Sequence, residues 1–326
     1  MPDERLKKYL NDIVWWIPNR KLRDVIRETF SILYEIKEQN NILLKINNNT
    51  NNIQFIVIEC GGGFVDQLYL YRFGYSIEKL YNKKVLYDIS WYNRSGKSDD
   101  GKYNRNFELK NIFDDFSFRE ATNNEIQIAK KFFISGLVYE NIDITNIIEN
   151  NKFLYLDMDC SWRTYNKQLN FNEVFDLDKY IFSKLNDDNK NILYDIKNNK
   201  YSVGCHIRRN DYLIVDYRIF NLDEYYYIRA IEKISEQVKE KLKIYFFSDD
   251  MDWVKNKLIP LVKDKYDYLA VDINDNDRGY FDFYLISNCK YQIASEGRFC
   301  ITAHIFNKYK NKILITPNDI DKKYLR

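Results

Sequence analysis

The chain has 326 residues, of which 45% are hydrophobic and 30% are charged, so it is long enough for two core-forming domains with an ordinary globular composition. Fifty basic residues against 48 acidic ones leave a net charge of +2, which disfavours a nucleic-acid-binding protein and requires any anion site to be local. The five cysteines are widely spaced without a C-x-x-C pair, and we identify no signal peptide and no run of 18 apolar residues. We therefore expect buried thiols and a cytoplasmic protein.

The N-terminal segment, residues 1–48, differs in character from the rest of the chain. Its apolar residues recur at helical spacing over residues 6–36 and predict two amphipathic helices. The Trp15-Trp16 pair and the neighbouring lysines and arginines suit a helix in an anionic membrane interface, whereas the interspersed glutamates suit a helical hairpin packed on the main body. Both interpretations stay open. The asparagine-rich residues 47–52 predict a linker or a loose turn.

A strand, a glycine turn, a helix and a second strand come next. The first strand is predicted at residues 53–59 and ends before Gly61-Gly62-Gly63. The helical spacing begins near Gln67 and leads to a strand at residues 84–89. Backbone N–H groups at such a turn favour an anionic ligand. Asp66 stands where the dinucleotide pattern G-x-G-x-x-G requires its last glycine, so the sequence disfavours a redox Rossmann domain.

Strands and helices alternate more regularly in the second half, which predicts a doubly wound α/β domain. The predicted strands cover residues 201–207, 243–247, 269–272, 291–294 and 312–316, and the predicted helices cover residues 223–238, 280–288 and 299–309. Ligands bind beyond the carboxyl ends of such strands, and those ends carry polar clusters here. The clusters that we expect to converge on one edge are His206-Ile207-Arg208-Arg209, Ser248-Asp249-Asp250 and Ser295-Glu296-Gly297-Arg298.

Several segments of the chain follow one another in the order found in a known family. They read GGGFVDQLYLYRFGYSIEKLYNKKVLYD from residue 61, FELKNIF at 107–113, CHIRRNDYL at 205–213, and then EYYYIRAIEKISEQV, IYFFSDDMDWVKNKL, DFYLISNCKYQIAS and KILITPNDI. Together they resemble the inverting α1,2-fucosyltransferases, whose His-x-Arg-Arg-x-Asp-Tyr motif is similar to CHIRRNDYL. The resemblance implies the GT-B architecture, in which two Rossmann-like domains face each other. It places the acceptor sugar on the N-terminal domain and a GDP-sugar on the C-terminal one.

The resemblance also implies sugar transfer with inversion and without an essential metal ion. A sugar diphosphate leaving group gains negative charge as the glycosidic bond breaks, and a guanidinium group can bind it bidentately. We therefore predict that Arg208 is the principal diphosphate contact. Arg209 would pair with Asp211 or another carboxylate to hold the loop, and His206 would orient the loop or touch the nucleotide. A structural Arg–Asp pair without a ligand is the alternative.

For the acceptor hydroxyl we predict Asp66 as the general base, because an inverting displacement needs a base opposite the leaving group. The family pattern usually has asparagine at this position. Gln67 would position the sugar or the acceptor, next to Gly62 and Gly63 of the turn. Alternatively, Asp66 caps the helix that begins near Gln67, and the sequence leaves the two roles open.

On the donor side the chain departs from the family pattern. Glu296, Gly297 and Arg298 stand where the family usually has asparagine and small hydroxyl residues, while Phe299 keeps its place. Arg298 would compensate for the lost hydrogen-bond donors. Asp282 matches a family acid, and we expect its carboxylate on the N1 and N2 donors of guanine. The remaining donor-binding residues are predicted to be Asp211, Asp249 and Ser295.

Two other functions stay open at this point. FLYLDMDC at 153–160 ends in Asp157-x-Asp159, which looks like the Mn²⁺-binding motif of metal-dependent GT-A glycosyltransferases. The 28 tyrosines and 5 tryptophans would alternatively form the stacking surface of a non-catalytic sugar-nucleotide-binding or glycan-binding module.

The sequence therefore predicts a GT-B glycosyltransferase with an N-terminal helical extension, an acceptor domain at residues 53–195 and a donor domain at residues 196–326. The expected reaction moves a 6-deoxyhexose, fucose first and α1,2-linked, from a GDP-sugar to a glycan hydroxyl in surface polysaccharide or lipopolysaccharide synthesis. We expect the acceptor to be an oligosaccharide or a lipid-linked glycan. We expect no cofactor, no essential metal ion and no nucleic acid. Residues 6–36 are expected to contact the inner face of the cytoplasmic membrane or a partner.

Overall fold

The computed structural model describes residues 21–23, 25–26, 29, 54–97, 101, 104–113, 118–135, 144–158, 167–213, 221–274 and 278–321. The chain separates into two compact units, Met1–Gln54 and Phe55–Arg326. The described residues between 21 and 29 are helical, while the rest of the helices predicted over residues 6–36 and the linker predicted at residues 47–52 lie outside the described residues. None of the helices within the described ranges has the length and apolar character needed to cross a bilayer.

Parallel strands form the framework of the second unit. Their bounds are Phe55–Glu59 (β1), Lys84–Asp88 (β2), Phe133–Ile134 (β3), Phe153–Leu156 (β4), Ser202–Ile207 (β5), Lys243–Ser248 (β6), Asp267–Val271 (β7), Tyr291–Ile293 (β8) and Ile313–Ile315 (β9). In the described part of the chain they form two sheets, with the orders β2-β1-β4-β3 and β7-β6-β5-β8-β9. The pairings between these strands are parallel, so the carboxyl ends within each sheet lie along one edge.

Helices connect these strands and cover the sheets. Their bounds are Phe64–Tyr81 (α1), Ser90–Arg94 (α2), Leu109–Ile112 (α3), Asn123–Lys130 (α4), Thr145–Asn150 (α5), Phe171–Val174 (α6), Leu177–Ile181 (α7), Asp187–Asn198 (α8), Glu224–Val238 (α9), Met251–Trp253 (α10), Ile259–Val262 (α11), Gly279–Asn288 (α12) and Phe299–Phe306 (α13). A π-helical stretch covers Val254–Leu258, and short 3₁₀ segments cover Phe182–Lys184, Asp211–Leu213 and Pro317–Asp319. The helices predicted at residues 223–238 and 280–288 are confirmed to within one residue.

Helix α1 begins earlier than the sequence predicted. Gly63 takes an extended conformation as the N-cap, and the carboxylate of Asp66 accepts its N–H in the capping box. These contacts start the helix at Phe64 rather than near Gln67. The helix ends at Asn82, whose φ of 51° lies in the left-handed region that asparagine tolerates.

Strand β3 is absent from the predictions, and α13 is shorter than predicted. Phe133 and Ile134 pair with β4 over two residues only, a length at which no alternation of apolar and polar residues can be recognised. Helix α13 ends at Phe306 and not near residue 309, because Asn307 leaves the helical conformation and donates its side-chain N–H to the Cys289 carbonyl (2.7 Å).

The two sheets share a hydrophobic core. Ile56 of the first sheet and Phe247 of the second belong to one buried cluster. The rings of Phe64 in α1 and Phe283 in α12 meet at 5.3 Å between centroids in an edge-on contact. A second cluster, with Ile231 of α9, covers the other face of the second sheet. Two parallel α/β halves packed in this way form the GT-B architecture that was expected.

The cysteines in the described residues are buried and free. Cys60, Cys205, Cys289 and Cys300 carry no disulfide, as expected, while Cys160 lies outside the described residues. Burial raises the pKa of the Cys300 thiol above its ordinary value. These four residues therefore act as small apolar side chains and not as nucleophiles.

Candidate active site

The polar clusters predicted at the second sheet meet where its strand order reverses. Strand β5 lies between β6 and β8, and Arg208 follows β5 directly. The Ser295 N–H donates to the His206 carbonyl (3.2 Å), and the Asp249 carboxylate accepts from the Arg209 N–H (2.8 Å). Open parallel sheets bind their ligands at such a switch point. The expected convergence of the three clusters is confirmed.

Arg208 is held by a bidentate ion pair with Asp211. Its Nε donates to both carboxylate oxygens of Asp211 (3.0 and 3.1 Å), and its Nη2 donates to Oδ2. The Asp211 side chain is 2% exposed, whereas that of Arg208 is 28% exposed. Burial is the largest single cause and lowers the pKa of Arg208, but the hydrogen bonds to Asp211 and the nearby Tyr212, Asp211 and Asp249 together outweigh it and raise that pKa above its ordinary value. The guanidinium group is therefore charged and oriented by the protein itself.

Gly297 lets the turn after β8 approach the remaining edge of Arg208. Its φ of 98° lies in the region that favours glycine. A Cβ at this position would stand 3.5 Å from Nη1 of Arg208 and 3.0 Å from the hydroxyl of Tyr212. That hydroxyl donates to the Glu296 carbonyl (3.3 Å), and the Tyr212 ring lies 4.8 Å from the guanidinium carbon of Arg208. The Nε and Nη2 edge thus serves Asp211, while Nη1 lies near the turn.

Arg209 has a different carboxylate partner. Its Nε donates to Asp250 Oδ2 (3.1 Å), and its Nη1 donates to Asn221 Oδ1 (3.3 Å). The guanidinium carbon lies 4.1 Å from the ring centroid of Trp253. The side chain is only 11% exposed, so Arg209 holds the loop in place. Of the partners that the sequence left open, the structure assigns Asp250 to Arg209 and gives Asp211 to Arg208.

His206 packs against the start of α13. Its ring stacks on Phe299 with 4.9 Å between the centroids, and its Nδ1 lies 3.1 Å from the Ser295 hydroxyl oxygen. Burial, together with the nearby charge of Arg208, lowers the pKa of His206 to about 3. The imidazole is therefore neutral at neutral pH. It orients the loop that carries Ser295 and adds no charge to the site.

At the first sheet the glycine turn after β1 opens helix α1. The Gly63 N–H donates to Oδ2 of Asp66 (3.0 Å). A Cβ at Gly62 would stand 2.3 Å from the same oxygen, and the φ of Gly62 is 80°. Asp66 therefore performs the capping role that the sequence had left open, with this oxygen turned back over the glycine turn.

Gln67 anchors the chain segment on the far side of the turn. Its side chain is completely buried. Its Nε2 donates to the Asn106 carbonyl (2.9 Å), and its Oε1 accepts from the Glu108 N–H (2.8 Å). Because backbone groups occupy both ends of the amide, Gln67 positions residues 106–108. Gln67 therefore supports the cleft through the backbone, and its predicted role in positioning the sugar or the acceptor stays a prediction.

The two halves enclose a cleft of about 410 Å³. Its lining is drawn from both of them and consists of Gly63, Phe64, Val65, Asp66, Arg105, Glu108, Arg208, Gly279, Gly297, Arg298 and Phe299. The guanidinium-bearing residues of this lining are Arg105, Arg208 and Arg298, and guanidinium groups bind phosphate oxygens bidentately. The cleft also contains carboxylates, which can accept a proton from a hydroxyl. It therefore has the groups needed for a diphosphate-linked donor and a hydroxyl acceptor.

Several predicted site residues support the cleft without belonging to the lining found among the described residues. They are Gly62, Gln67, His206, Arg209, Asp211, Asp249, Asp282, Ser295 and Glu296. Asp282, on α12, accepts a hydrogen bond from the side chain of Asn274 (2.7 Å). Burial, with a contribution from the charge of Asp272, raises its pKa to about 7. Its contact with guanine stays a prediction.

Arg105 and Glu108 are cleft residues that the sequence analysis missed. Both belong to the segment anchored by Gln67, and the Arg105 N–H donates to the Gly96 carbonyl (2.7 Å). The segment FELKNIF, which contains Glu108, attracted attention only as part of the family resemblance. A cation and an acid three residues apart give no signal in a chain that is 30% charged.

Comparison with known proteins identifies the family. Residues 55–326 match the family described as Glycosyl transferase family 11. The chain belongs to this family. The enzyme class expected from the sequence, a glycosyltransferase related to the α1,2-fucosyltransferases, is thereby confirmed.

This family 11 glycosyltransferase is also similar to individual proteins. The O-antigen biosynthesis glycosyltransferase WbnK of Escherichia coli is 24% identical over 287 residues, which cover 78% of this chain and 91% of WbnK. The fucosyltransferase NodZ from Bradyrhizobium is 12% identical with a TM-score of 0.40, covering 78% of this chain and 92% of NodZ. Arabidopsis thaliana FUT1 is 10% identical with a TM-score of 0.45, covering 82% of this chain and 71% of the other.

A larger cavity, of about 800 Å³, lies at the opposite edge of the second sheet of this glycosyltransferase. Its lining includes Asn288 and Tyr309, which precede β8 and β9 in the chain. The carboxylate of Asp178 accepts there from the Tyr284 hydroxyl and the Lys308 ammonium group, both at 2.5 Å. These three polar groups thus bond one another, and parallel sheets bind ligands at the carboxyl edge. We therefore assign the active site to the smaller cleft.

The metal-dependent alternative concerns Asp157 and Asp159. Asp157 follows β4 at the carboxyl edge of the first sheet, whereas Asp159 lies outside the described residues. Within the described ranges, no group of three His, Cys, Asp or Glu side chains could hold a metal ion. The choice between a metal-dependent and a metal-independent transfer therefore rests on an experiment with a chelator.

Proposed function

We propose that this family 11 glycosyltransferase moves a 6-deoxyhexose, fucose first, from a GDP-sugar to a glycan hydroxyl with inversion and without an essential metal ion. The observation that carries the proposal is the set of guanidinium groups on one cleft between the two sheets. Such groups can stabilise the charge of a departing diphosphate, which a divalent cation does in other glycosyltransferases.

The donor side of the proposal rests on the geometry of Arg208. Its Nε and Nη2 edge is occupied by the buried carboxylate of Asp211, so it is fixed before any ligand binds. The Nη1 group, next to Gly297, then serves the diphosphate. A group fixed in advance requires no reorganisation when the charge develops, which is the main source of electrostatic catalysis. Arg298 and Arg105 add positive charge to the same cleft.

The acceptor side uses the first wall of the cleft. The first wall comprises the lining residues of the first half, such as Asp66 and Glu108, and the second wall comprises those of the second half, such as Arg208 and Arg298. Asp66 and Glu108 place carboxylates opposite the arginines of the second half. An inverting transfer needs one base that removes the proton of the acceptor hydroxyl on the side opposite the leaving group. Asp66 and Glu108 are the candidates for this base, since both line the cleft.

The class of acceptor is proposed from the similarity to WbnK. WbnK is named as an enzyme of O-antigen biosynthesis, so we propose an oligosaccharide or lipid-linked precursor of a surface polysaccharide as the acceptor. The α1,2 linkage is proposed from the resemblance to the α1,2-fucosyltransferases. Contact of residues 6–36 with the cytoplasmic membrane or a partner stays a prediction outside the described residues.

A donor screen tests the proposed function. The melting temperature of the full chain is measured with GDP-fucose, GDP-mannose and UDP-sugars, since a preferred ligand stabilises the folded state by mass action. We expect the largest shift with a GDP-sugar, followed by GDP release from GDP-fucose that persists in EDTA. The anomeric configuration of the product is then read by NMR. Preference for a UDP-sugar, or loss of turnover in EDTA, contradicts the proposal, and GDP binding without turnover indicates a non-catalytic module.

A further inference from the structure

The two carboxylates on the first wall of the cleft have different structural duties. Oδ2 of Asp66 accepts the Gly63 N–H at 3.0 Å and lies so close to the turn that a Cβ at Gly62 would stand 2.3 Å from it. This is the N3 position of a capping box, where a carboxylate stabilises the first turn of α1. A proton taken up by Asp66 would weaken that cap.

Glu108 stands at the N-cap position of α3, but its side chain makes no capping hydrogen bond. Its backbone N–H is the group that bonds to Gln67, at 2.8 Å. The side chain lines the cleft that Arg208 lines from the other half, and its Oε2 atom is buried. Glu108 thus lies at the wall of the cleft, and its side chain does not cap the helix behind it.

The backbone that carries Glu108 is fixed on both sides. Gln67 is completely buried and also bonds to the Asn106 carbonyl at 2.9 Å. Leu109 and Ile112 of α3 are completely buried in the core. A reacting group must be held within a fraction of an ångström, and rigid anchoring of its backbone provides this.

The electrostatic surroundings place Glu108 and Asp66 in one group. The Tyr92 hydroxyl donates to the Gly62 carbonyl (3.2 Å). Burial is the main cause that raises the pKa of Tyr92, and the charges of Asp66 and Glu108 add to it, whereas Arg105 opposes it. The charges of both carboxylates and of the cation thus act on the Tyr92 hydroxyl. A Cβ at Gly63 would stand 2.6 Å from Nη1 of Arg105, so this cation lies across the glycine turn.

We propose that Glu108 is the catalytic base of the transfer and that Asp66 remains a helix cap. The inference rests on the proposed transfer from a GDP-sugar. The acceptor oxygen attacks the anomeric carbon with a lone pair, and a new C–O bond forms. The bond from the anomeric carbon to the β-phosphate oxygen breaks, and its electron pair leaves on GDP. The proton of the acceptor hydroxyl passes to the Glu108 carboxylate, which releases it to solvent afterwards.

The test compares an acceptor that carries a proton with one that does not. GDP release from GDP-fucose is measured in water and again with sodium azide, since water must give up a proton whereas azide attacks the anomeric carbon without one. For E108Q we expect release into water to fall about 100-fold, within the usual contribution of a general base. Azide-dependent release stays within about threefold of the unchanged enzyme, because no proton transfer is needed.

The matched control is D66N, which changes the other carboxylate of the same wall. It is expected to lower the melting temperature and to change release into water and azide-dependent release by the same factor, since only a cap is weakened. E108D keeps a carboxylate with a shorter reach and retains more release into water than E108Q. Calorimetric GDP binding confirms that each variant is folded.

Three results overturn the inference. If E108Q releases GDP into water at the normal rate, the reaction does not need Glu108 as a base. If E108Q loses release into water and azide-dependent release to the same extent, Glu108 has a structural or donor-binding role. If D66N loses release into water but keeps azide-dependent release, the base is Asp66. If the unchanged enzyme releases no GDP from any GDP-linked 6-deoxyhexose with water, azide or a glycan acceptor, the proposed function itself fails, which is a distinct outcome.

Discussion

The two walls of the cleft are stabilised in different ways. On the second wall charged side chains pair with each other, as Arg208 does with Asp211 and Arg209 with Asp250. On the first wall the supporting bonds run between one buried amide, Gln67, and backbone groups. Arg208, which lines the cleft, and Arg209, which holds the loop behind it, are thus already compensated by carboxylates and need no ligand to hold them in place.

This difference predicts how the two walls respond to substitution. Removing a charge on the second wall leaves its partner uncompensated in a buried place, so that stability and catalysis change together. A change on the first wall moves a segment of backbone, so that the effect falls on the acceptor and leaves donor binding nearly intact. Substitutions on the two walls test this distinction, and the largest effect is expected on the second wall.

The largest effect is expected for Arg208→Ala, a substitution on the second wall. We expect a loss of at least about 3 kcal/mol in transition-state stabilisation, because the diphosphate loses its fixed donor. The quantity measured is kcat/KM for GDP-fucose. Arg208→Lys is the matched control, since it keeps the charge but cannot serve Asp211 and the diphosphate in the same fork geometry. It should retain only part of the activity.

The alanine variant also leaves Asp211 as an unpaired buried carboxylate. The double variant Arg208→Ala with Asp211→Asn removes that charge and should recover stability without recovering turnover. If turnover returns with stability, Arg208 is a structural residue, and the role that we give it in the transfer is wrong.

Gln67→Met is the corresponding break in the first wall. The substitution keeps the volume of the side chain but leaves the Asn106 carbonyl and the Glu108 N–H without their bonds, at about 1–3 kcal/mol of unfolding free energy. We expect a raised KM for the glycan acceptor, while GDP binding measured by calorimetry changes less than about twofold, because Gln67 lies outside the second wall. Equal weakening of GDP binding would contradict the separation of the two walls.

Gly297→Ala tests the close approach of the turn to Arg208. The new Cβ meets the Tyr212 hydroxyl at 3.0 Å in a residue whose φ is 98°. A side chain in this backbone region costs about 1–2 kcal/mol, and we expect GDP affinity to fall about tenfold, measured by calorimetry. Gly279→Ala is the matched control on the same cleft, since nothing lies within 4 Å of its Cβ. Equal effects of both substitutions would refute the argument from the turn.

Asp282, in the second half, lies close to the side-chain amide of Asn274 and to the charge of Asp272. Its folded-state pKa of about 7 lies above the ordinary value of 3.8, so the folded protein binds a proton that the unfolded chain releases between these pH values. The free energy of unfolding should therefore fall as the pH rises from about 4 to 7, by about 1 kcal/mol or more. Asp282→Asn should lack this part of the fall in urea titrations, and an identical pH dependence in both proteins would contradict it.

The sequence was sufficient for the features that depend on neighbouring residues. The alternation of strands with helices predicted the second sheet, and the polar tips of β5, β6 and β8 predicted its ligand edge. Helix α9, for example, starts where Asp223 supplies a capping carboxylate, which is a local signal. The family motif CHIRRNDYL likewise lies on the strand tip expected for it.

Other features of the site depend on residues that are distant in the chain. CHIRRNDYL contains two arginines and one aspartate, but the second carboxylate, Asp250, follows β6 some 40 residues later. The carbonyl and the N–H that bond to Gln67 lie 39 and 41 residues away in the chain, so the sequence gives no local signal for this anchoring role. Glu108 was missed for the same reason.

The amino-acid sequence by itself determined the parallel α/β framework, the family and the strand tip that carries Arg208, because periodicity, capping and motif are local properties of the chain. Only the tertiary structure decided which carboxylate pairs with which arginine, that Gln67 is buried against backbone, and that Glu108 shares a cleft with Arg208. Those pairings arise where two sheets pack on a common core, and the energy of a buried charge or amide depends on partners that packing brings together.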